Sequence, residues 1–187
     1  MKQIDCNKIG FKETMRIVAA SYDNLIVGRV FAQYKEIYRV VSQNGEMLAE
    51  ISGKFRFTAE KPTDFPSVGD FVMLDRDTDL NGNAVIHAIL PRRSALVRKA
   101  AGTASEEQIV ASNVDTVFIC MACNKDFNLR RLERYLAFVW DSGAVPVIVL
   151  TKVDLCEDMA YVVQEVAEVA IGVDVVKTPA VQEDGYQ

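Results

Sequence analysis

The 187-residue chain has little of what most metal, redox and membrane chemistry requires: one histidine, one tryptophan, four cysteines and no apolar run longer than a strand. A helix that crosses a bilayer needs about 20 apolar residues, and the longest stretches here, Val114 to Cys123 and Gly143 to Leu150, end well short of that. The opening MKQIDCNKIG lacks the apolar core of a secretory signal. The expected location is the cytoplasm, with no membrane partner and with the cysteines reduced. Cys120 and Cys123 form a C-x-x-C, but a zinc site needs two more ligands, and the single histidine, His87, stands in a predicted strand without ligand-like spacing. A thioredoxin-type pair would open a helix, whereas this one closes a predicted buried strand, so both thiols are expected to be packed core side chains and no metal site is expected. The sequence also holds no G-x-x-x-x-G-K-[ST]: its only Gly-Lys pair, Gly53-Lys54, is followed by Phe55. The loop that cradles nucleotide phosphates and helps to seat magnesium is absent.

Half of the residues are apolar and a quarter are charged, too apolar for disorder and too mixed for a fibre. At roughly 150 residues per domain, the length allows one large domain or two small ones. The net charge of −5 is unevenly spread, with 15 Lys and Arg against 12 Asp and Glu over 1–99, and 6 against 14 over 100–187. Any contact with a polyanion is therefore expected in the first part, although so mild an excess mostly describes an ordinary solvated surface.

After a short helical lead-in over 1–22, the spacing predicts a small antiparallel barrel over 23–93. Gly28 to Tyr34, Ile37 to Val41, Glu46 to Ile51, Gly53 to Thr58, Phe71 to Asp75 and Ala84 to Leu90 are its strand-like runs. Asn44-Gly45 marks a hairpin turn, while Pro62, Pro66 and Gly69, and then Asn81-Gly82-Asn83, mark longer connections. Closure removes the exposed edges of so many short strands. A linker is expected over 94–105. From 106 to 187 the period changes: Asp115 to Met121 and Val145 to Leu150 are predicted buried strands, and Val173 to Lys177 a third. Leu129, Leu132, Leu136 and Val139 recur at helical spacing between a cap at Asn128 and a stop at Gly143, and Met159, Val162, Val163, Val166 and Ala170 mark a second helix ended by Gly172. Strands alternating with helices make a parallel sheet, so the second region is α/β.

The sharpest chemical feature is Thr151-Lys152-Val153-Asp154, at the carboxyl end of the predicted strand VPVIVL. Open α/β sheets bind ligands at that end. A carboxylate there can accept two hydrogen bonds from guanine, from N1–H and the exocyclic amine, while a lysine stem packs along the base; adenine offers no such pair of donors. Taken alone, the four residues also describe a helix start with its usual acidic residue. Their surroundings are more specific. EEQIVASNVDTVFI, FNLRRLERYL and GAVPVIVLTKVDL, behind a predicted barrel ending ILPRRSALVRKA, resemble the ribosome small-subunit-dependent GTPase A family from about Gly28 to Ala180, and Thr151 to Asp154 is similar to the guanine-specificity motif Asn-Lys-x-Asp.

The resemblance implies an OB-fold barrel followed by part of a circularly permuted, P-loop GTPase-like domain, in which the guanine motif precedes the phosphate loop. It implies that Thr151, Lys152 and Asp154 contact guanine, and that Thr178-Pro179-Ala180 takes the place of the second guanine contact, where a backbone N–H meets the base oxygen. GTP or GDP with Mg2+ is the implied cofactor of the complete protein, zinc that of a C-terminal domain, and the small ribosomal subunit with its rRNA the implied partner. The phosphate loop, the catalytic residues and the zinc domain are expected beyond Gln187, so these residues alone are expected to be inactive. Thr151 departs from the motif and removes an amide that would tie the loop to its neighbours, although a threonine can cap the following turn.

Candidate RNA contacts are Arg29, Arg39, Lys54 and Arg56 in the predicted barrel strands, with Phe31, Tyr38 and Phe55 available for stacking, and Arg92, Arg93, Arg98 and Lys99 at the joint. The same arginines can instead pair with Glu36, Glu46 and Glu50. Tyr135, Phe138 and Trp140, on a predicted helix, are expected to pack. Two function classes follow: the N-terminal portion of a GTPase that assists maturation of the small ribosomal subunit, or a non-catalytic RNA-binding module with a degenerate nucleotide site. A phosphate-loop motif further along the gene separates them. The strand Asp115 to Met121 is expected to keep an unpaired edge through which copies of the chain associate.

Overall fold

Val30, Val40, Met47 and Ala49 point inward from three consecutive strands and are almost inaccessible, while residues between them face solvent. This period-two alternation is what rolls strands into a barrel with a filled interior. The computed structural model describes residues 5–78, 82–99 and 107–179, and the chain divides into two compact units, Met1–Val114 and Asp115–Gln187.

In the first unit the lead-in holds a 3-10 turn, Cys6–Ile9, and helix α1 (Glu13–Ala19). Strands β1 (Ile26–Tyr34), β2 (Ile37–Ser42), β3 (Gly45–Ile51), β4 (Phe71–Leu74) and β5 (Ala84–Ile89) close in the order β1-β2-β3-β5-β4. Only β3 and β5 run parallel, which is the OB-fold topology. Val72 and Leu74 of β4 fill the barrel interior, whereas Phe71 and Met73 pack outward against Phe11 and Met15, so a strand with helix α1 on its far side is buried on both faces. Ser42 pairs with Gly45, which places the hairpin loop at Gln43-Asn44, one residue earlier than expected; Gly45 takes the positive φ of 134°.

Gly53–Thr58, expected as a strand, is instead helix α2. Ser52 explains the correction: its hydroxyl accepts the N–H of Phe55 at 3.1 Å and caps the helix, while its own N–H donates to the Ile86 carbonyl at 2.9 Å and ends β3 at the barrel rim. The alternation of basic and aromatic residues that imitates a strand is a solvated helix crossing between β3 and β4.

The expected linker over 94–105 carries a strand. β6 (Ala95–Lys99) pairs antiparallel with β7 (Glu107–Ser112), and the division between units falls after Val114 instead of at 106. Gly69 makes the junction possible: at φ +96°, a Cβ there would lie 2.0 Å from the Ser112 carbonyl oxygen, so only glycine lets the end of β7 come so close.

The second unit runs β8 (Thr116–Ala122), α3 (Leu129–Ser142), β9 (Val145–Thr151), α4 (Met159–Val169) and β10 (Asp174–Thr178), with a parallel sheet in the order β10-β9-β8. The Asn128 side chain accepts the Arg131 N–H at 2.8 Å and Gly143 ends α3 at φ 81°, where the sequence places cap and stop. Ile119, Met121, Ile148 and Leu150 pack against Leu132, Leu136, Val162 and Val166, so both helices cover one face of the sheet. The other face is open: Phe118 is 66% and Val145 58% exposed. The expected buried strands are therefore buried on alternate residues only. Cys120 falls on the exposed set and Cys123 in the core, which corrects the expectation that both thiols are packed. Phe138 packs as expected, but Tyr135 and Trp140 are exposed. No helix among the described residues is long and apolar enough to cross a membrane.

Candidate functional site

β9 delivers Thr151 to the carboxyl edge of the sheet, in register with Ala122 of β8 and Thr178 of β10. The Cys123 N–H donates to the Thr151 carbonyl at 2.8 Å and clamps the end of β9 to the segment after β8. Lys152 then turns left-handed, with φ 56° and ψ 37°, a conformation that costs a residue bearing a Cβ about 1–2 kcal/mol. Strain of this kind gathers at functional loops. Val153–Leu155 follow as a 3-10 turn, closed by the Leu155 N–H on the Lys152 carbonyl at 3.0 Å. Val153 packs onto the core and Asp154 faces solvent. Thr178 and Pro179 end the neighbouring strand at the same edge, with the Thr178 hydroxyl donating to the Pro179 carbonyl at 3.3 Å. Thr151, Lys152, Asp154 and Pro179 are thus gathered on one side of the sheet; Ala180 lies outside the described residues.

The edge presents an exposed carboxylate, Asp154, close in sequence to a half-buried lysine, Lys152. For magnesium, no group of three or more His, Cys, Asp or Glu is assembled among the described residues, and for phosphates the sequence offers no glycine-rich loop.

A cavity of about 530 Å³ opens beside the turn, lined by Cys123, Asn124, Phe127, Cys156, Asp158 and Tyr161 but not by Lys152 or Asp154. Asp158 is occupied as the cap of α4, accepting the Tyr161 N–H at 2.9 Å. Burial, with the neighbouring Cys156, pushes the Cys123 thiol up, which keeps it protonated at neutral pH. Residue spacing gave no sign of this cavity, because its walls come from two strand-to-helix connections.

The candidate RNA contacts separate into two sets. Arg29 donates to the carbonyls of Ile9, Gly69 and Asn113 at 2.5, 3.2 and 3.3 Å, and its guanidinium lies 5.1 Å from the centre of the Phe71 ring. Arg92 binds both oxygens of Asp70 at 2.8 and 2.7 Å and the carbonyls of Thr63 and Phe65 at 2.6 and 2.9 Å. Asp70 is fully buried and also accepts from the Ser67 N–H at 2.8 Å and the Ser112 hydroxyl at 2.5 Å. These two arginines join the lead-in, the connection before β4 and the end of β7, a structural task the sequence did not reveal. Arg39, Lys54, Arg56, Arg93 and Arg98 are exposed. Arg39 pairs with Glu46 at 2.9 Å and lies 5.0 Å from the Phe31 ring centre, and Arg56 pairs with Glu36 at 3.0 Å. The Lys99 side chain lies outside what the structure describes. Tyr38 is buried and its hydroxyl pushed up by that burial, and Phe55 packs on Phe65, so of the three aromatic candidates Phe31 alone remains at the surface.

Comparison with known proteins places the chain among named relatives. The sequence profile described as RsgA GTPase matches residues 89–187. Small ribosomal subunit biogenesis GTPase RsgA 2 of Lactiplantibacillus plantarum is 45% identical over 170 residues, covering 91% of this chain and 47% of that protein. RsgA 1 of Oceanobacillus iheyensis is 43% identical over 169 residues, covering 89% and 48%. The chain spans about half the length of the curated relatives it matches. Among solved structures, YloQ, a circularly permuted GTPase, superposes with a TM-score of 0.63 at 23% identity over 84% of this chain and 53% of its own. YjeQ from Thermotoga maritima gives 0.63 at 25% identity, over 83% and 52%. With the profile matching more than half of the sequence and these relatives spanning both units, the chain belongs to the RsgA GTPase family.

Proposed function

We propose that the chain supplies the RNA-facing barrel and the guanine-reading half of a GTPase that assists maturation of the small ribosomal subunit in the cytoplasm. The observation that carries this reading is Asp154, presented by the left-handed turn at Lys152 just past the carboxyl end of β9, whose Thr151 is in register with Thr178. Asp154 accepts N1–H and the exocyclic amine of guanine, the Lys152 stem lies along the base, and the Ala180 N–H meets the base oxygen. Magnesium and the phosphates of GTP are held by residues outside these 187, as is zinc, so the chain alone binds guanine nucleotides weakly and hydrolyses none. The relatives' names, which specify small ribosomal subunit biogenesis, support the ribosomal partner. Arg39, Lys54, Arg56, Arg93 and Arg98 contact its RNA, and the edge of β8 that has no partner strand among the described residues, with the open face around Phe118, is where copies of the chain associate.

The test is Asp154→Asn in the full-length parent protein, where phosphate contacts make affinity measurable. Two charge-assisted hydrogen bonds at roughly 1.5–3 kcal/mol each give a loss of about a hundredfold to ten-thousandfold in GTP affinity. Affinity for xanthosine triphosphate should rise, because xanthine carries a carbonyl in place of the amine and the asparagine amide can donate to it. Unchanged GTP binding, or loss without the gain of xanthosine triphosphate, overturns the assignment.

A further inference from the structure

The two phenylalanines of helix α2 have opposite surroundings. Phe55 lies 6.5 Å from Phe65, ring centre to ring centre, and packs against the barrel core. Phe57 is 90% exposed, more than any other large apolar side chain among the described residues. Lys54 and Arg56 flank it on the same helix, both exposed, and Gly53–Thr58 contains no acidic residue. The ion pair of Arg56 with Glu36 ties the helix to the turn between β1 and β2. Lys35 of that turn, Glu60 and Lys61 border a cavity of about 370 Å³ that Tyr38 and Phe65 also line.

A lone phenyl ring on a helix whose only charged residues are cations is a poor protein-binding patch, because such patches rely on contiguous apolar area. It matches the arrangement that holds unpaired nucleic acid, in which an aromatic ring offers its face to a base and neighbouring cations meet the phosphates. Every base has a π-face, so such a platform needs no particular sequence. We propose that Phe57 is a stacking platform for an unpaired RNA base, with Lys54 and Arg56 on the adjoining phosphates; the inference rests on the RNA-binding reading of the barrel given above. The ring is almost wholly in water, so its replacement removes little packing and the variants should fold.

The experiment uses the 187-residue chain and two probes, a short single-stranded RNA and the same sequence annealed into a duplex, titrated over a range of salt. Phe57→Ala should lower single-strand affinity by about fivefold to a hundredfold. Its salt slope should not change, because a phenyl ring displaces no counterions, and duplex affinity should stay as in wild type. Phe57→Trp should retain the affinity and add an indole whose fluorescence is quenched by the RNA, above the background of Trp140. Lys54→Gln and Arg56→Gln should each reduce the salt slope by about one. Wild-type single-strand affinity in Phe57→Ala overturns the inference, as does a loss seen only with whole ribosomal subunits, which would assign the ring to a protein contact. A wild-type chain that binds neither RNA probe overturns the RNA reading of the barrel itself, and this inference with it.

Discussion

In the first unit every barrel strand has a hydrogen-bonded neighbour on both sides, and a charged pair, Asp70 with Arg92, is enclosed with its partners. In the second, β8 has one neighbour among the described residues, and Phe118 stands on a sheet face that neither helix covers. Parallel sheets are ordinarily buried on both faces. The barrel thus satisfies its own backbone and core, while the α/β unit carries surface fit for more structure or for a partner. The candidate guanine turn sits on this second unit, shaped by the left-handed residue Lys152 and one clamp at Cys123. The candidate RNA surface sits on the first.

The contrast is tested most severely at its buried charges. Asp70→Ala leaves the Arg92 guanidinium without its counter-ion and should destabilise the first unit by about 3–5 kcal/mol, read in urea unfolding followed by hydrogen exchange. Amides of β8, β9 and α3 should keep their protection; equal loss in both units would show that they do not fold separately. Gly69→Ala should come next, at about 1–3 kcal/mol or more, since it combines a positive φ with a contact on the Ser112 carbonyl.

Acid sharpens the contrast from another side. The Arg76 guanidinium beside Asp75, helped by the Val85 N–H, holds the Asp75 carboxyl below the ordinary carboxylate range. A folded pKa below the unfolded one means that this stabilisation is complete above the unfolded value and is lost as pH falls through the depressed one. Asp75→Asn should remove that part of the acid dependence of barrel unfolding, and an unaltered acid limb would contradict it. Smallest in free energy, but decisive for the open face, is Phe118→Lys. Stability should change by about 0.5 kcal/mol or less, yet light scattering at high concentration should show less self-association than wild type. A wild-type chain that is monomeric throughout, with β8 fully protected from exchange, would contradict association through this surface.

Much of this structure is legible in the sequence wherever the cause is local. Asn128 and Gly143 bound α3 because a side-chain cap and a left-handed stop act within one turn. Thr151 to Asp154 stand at a strand end because the apolar run before them is a strand. Long-range causes are not legible. Arg29 and Arg92 resemble surface cations until the fold brings carbonyls from Ile9, Thr63, Gly69 and Asn113 to them. Alternating basic and aromatic residues suggested a strand at 53–58, and only the anchoring of Ser52 to Ile86 shows a helix leaving the barrel rim. The free face of the sheet does not show in runs such as VPVIVL themselves, because continuous apolar strands ordinarily imply cover on both sides.

The central claim, that this chain reads the base of a nucleotide and holds none of its phosphates, is tested most directly by titrating it with guanosine, GDP and GTP, with and without magnesium, by NMR. The account predicts weak binding, in the high micromolar range or above, nearly equal for the three ligands, insensitive to magnesium, with shifts centred on Thr151 to Asp154 and abolished by Asp154→Asn. Submicromolar, magnesium-dependent binding of GTP by these residues alone would contradict it.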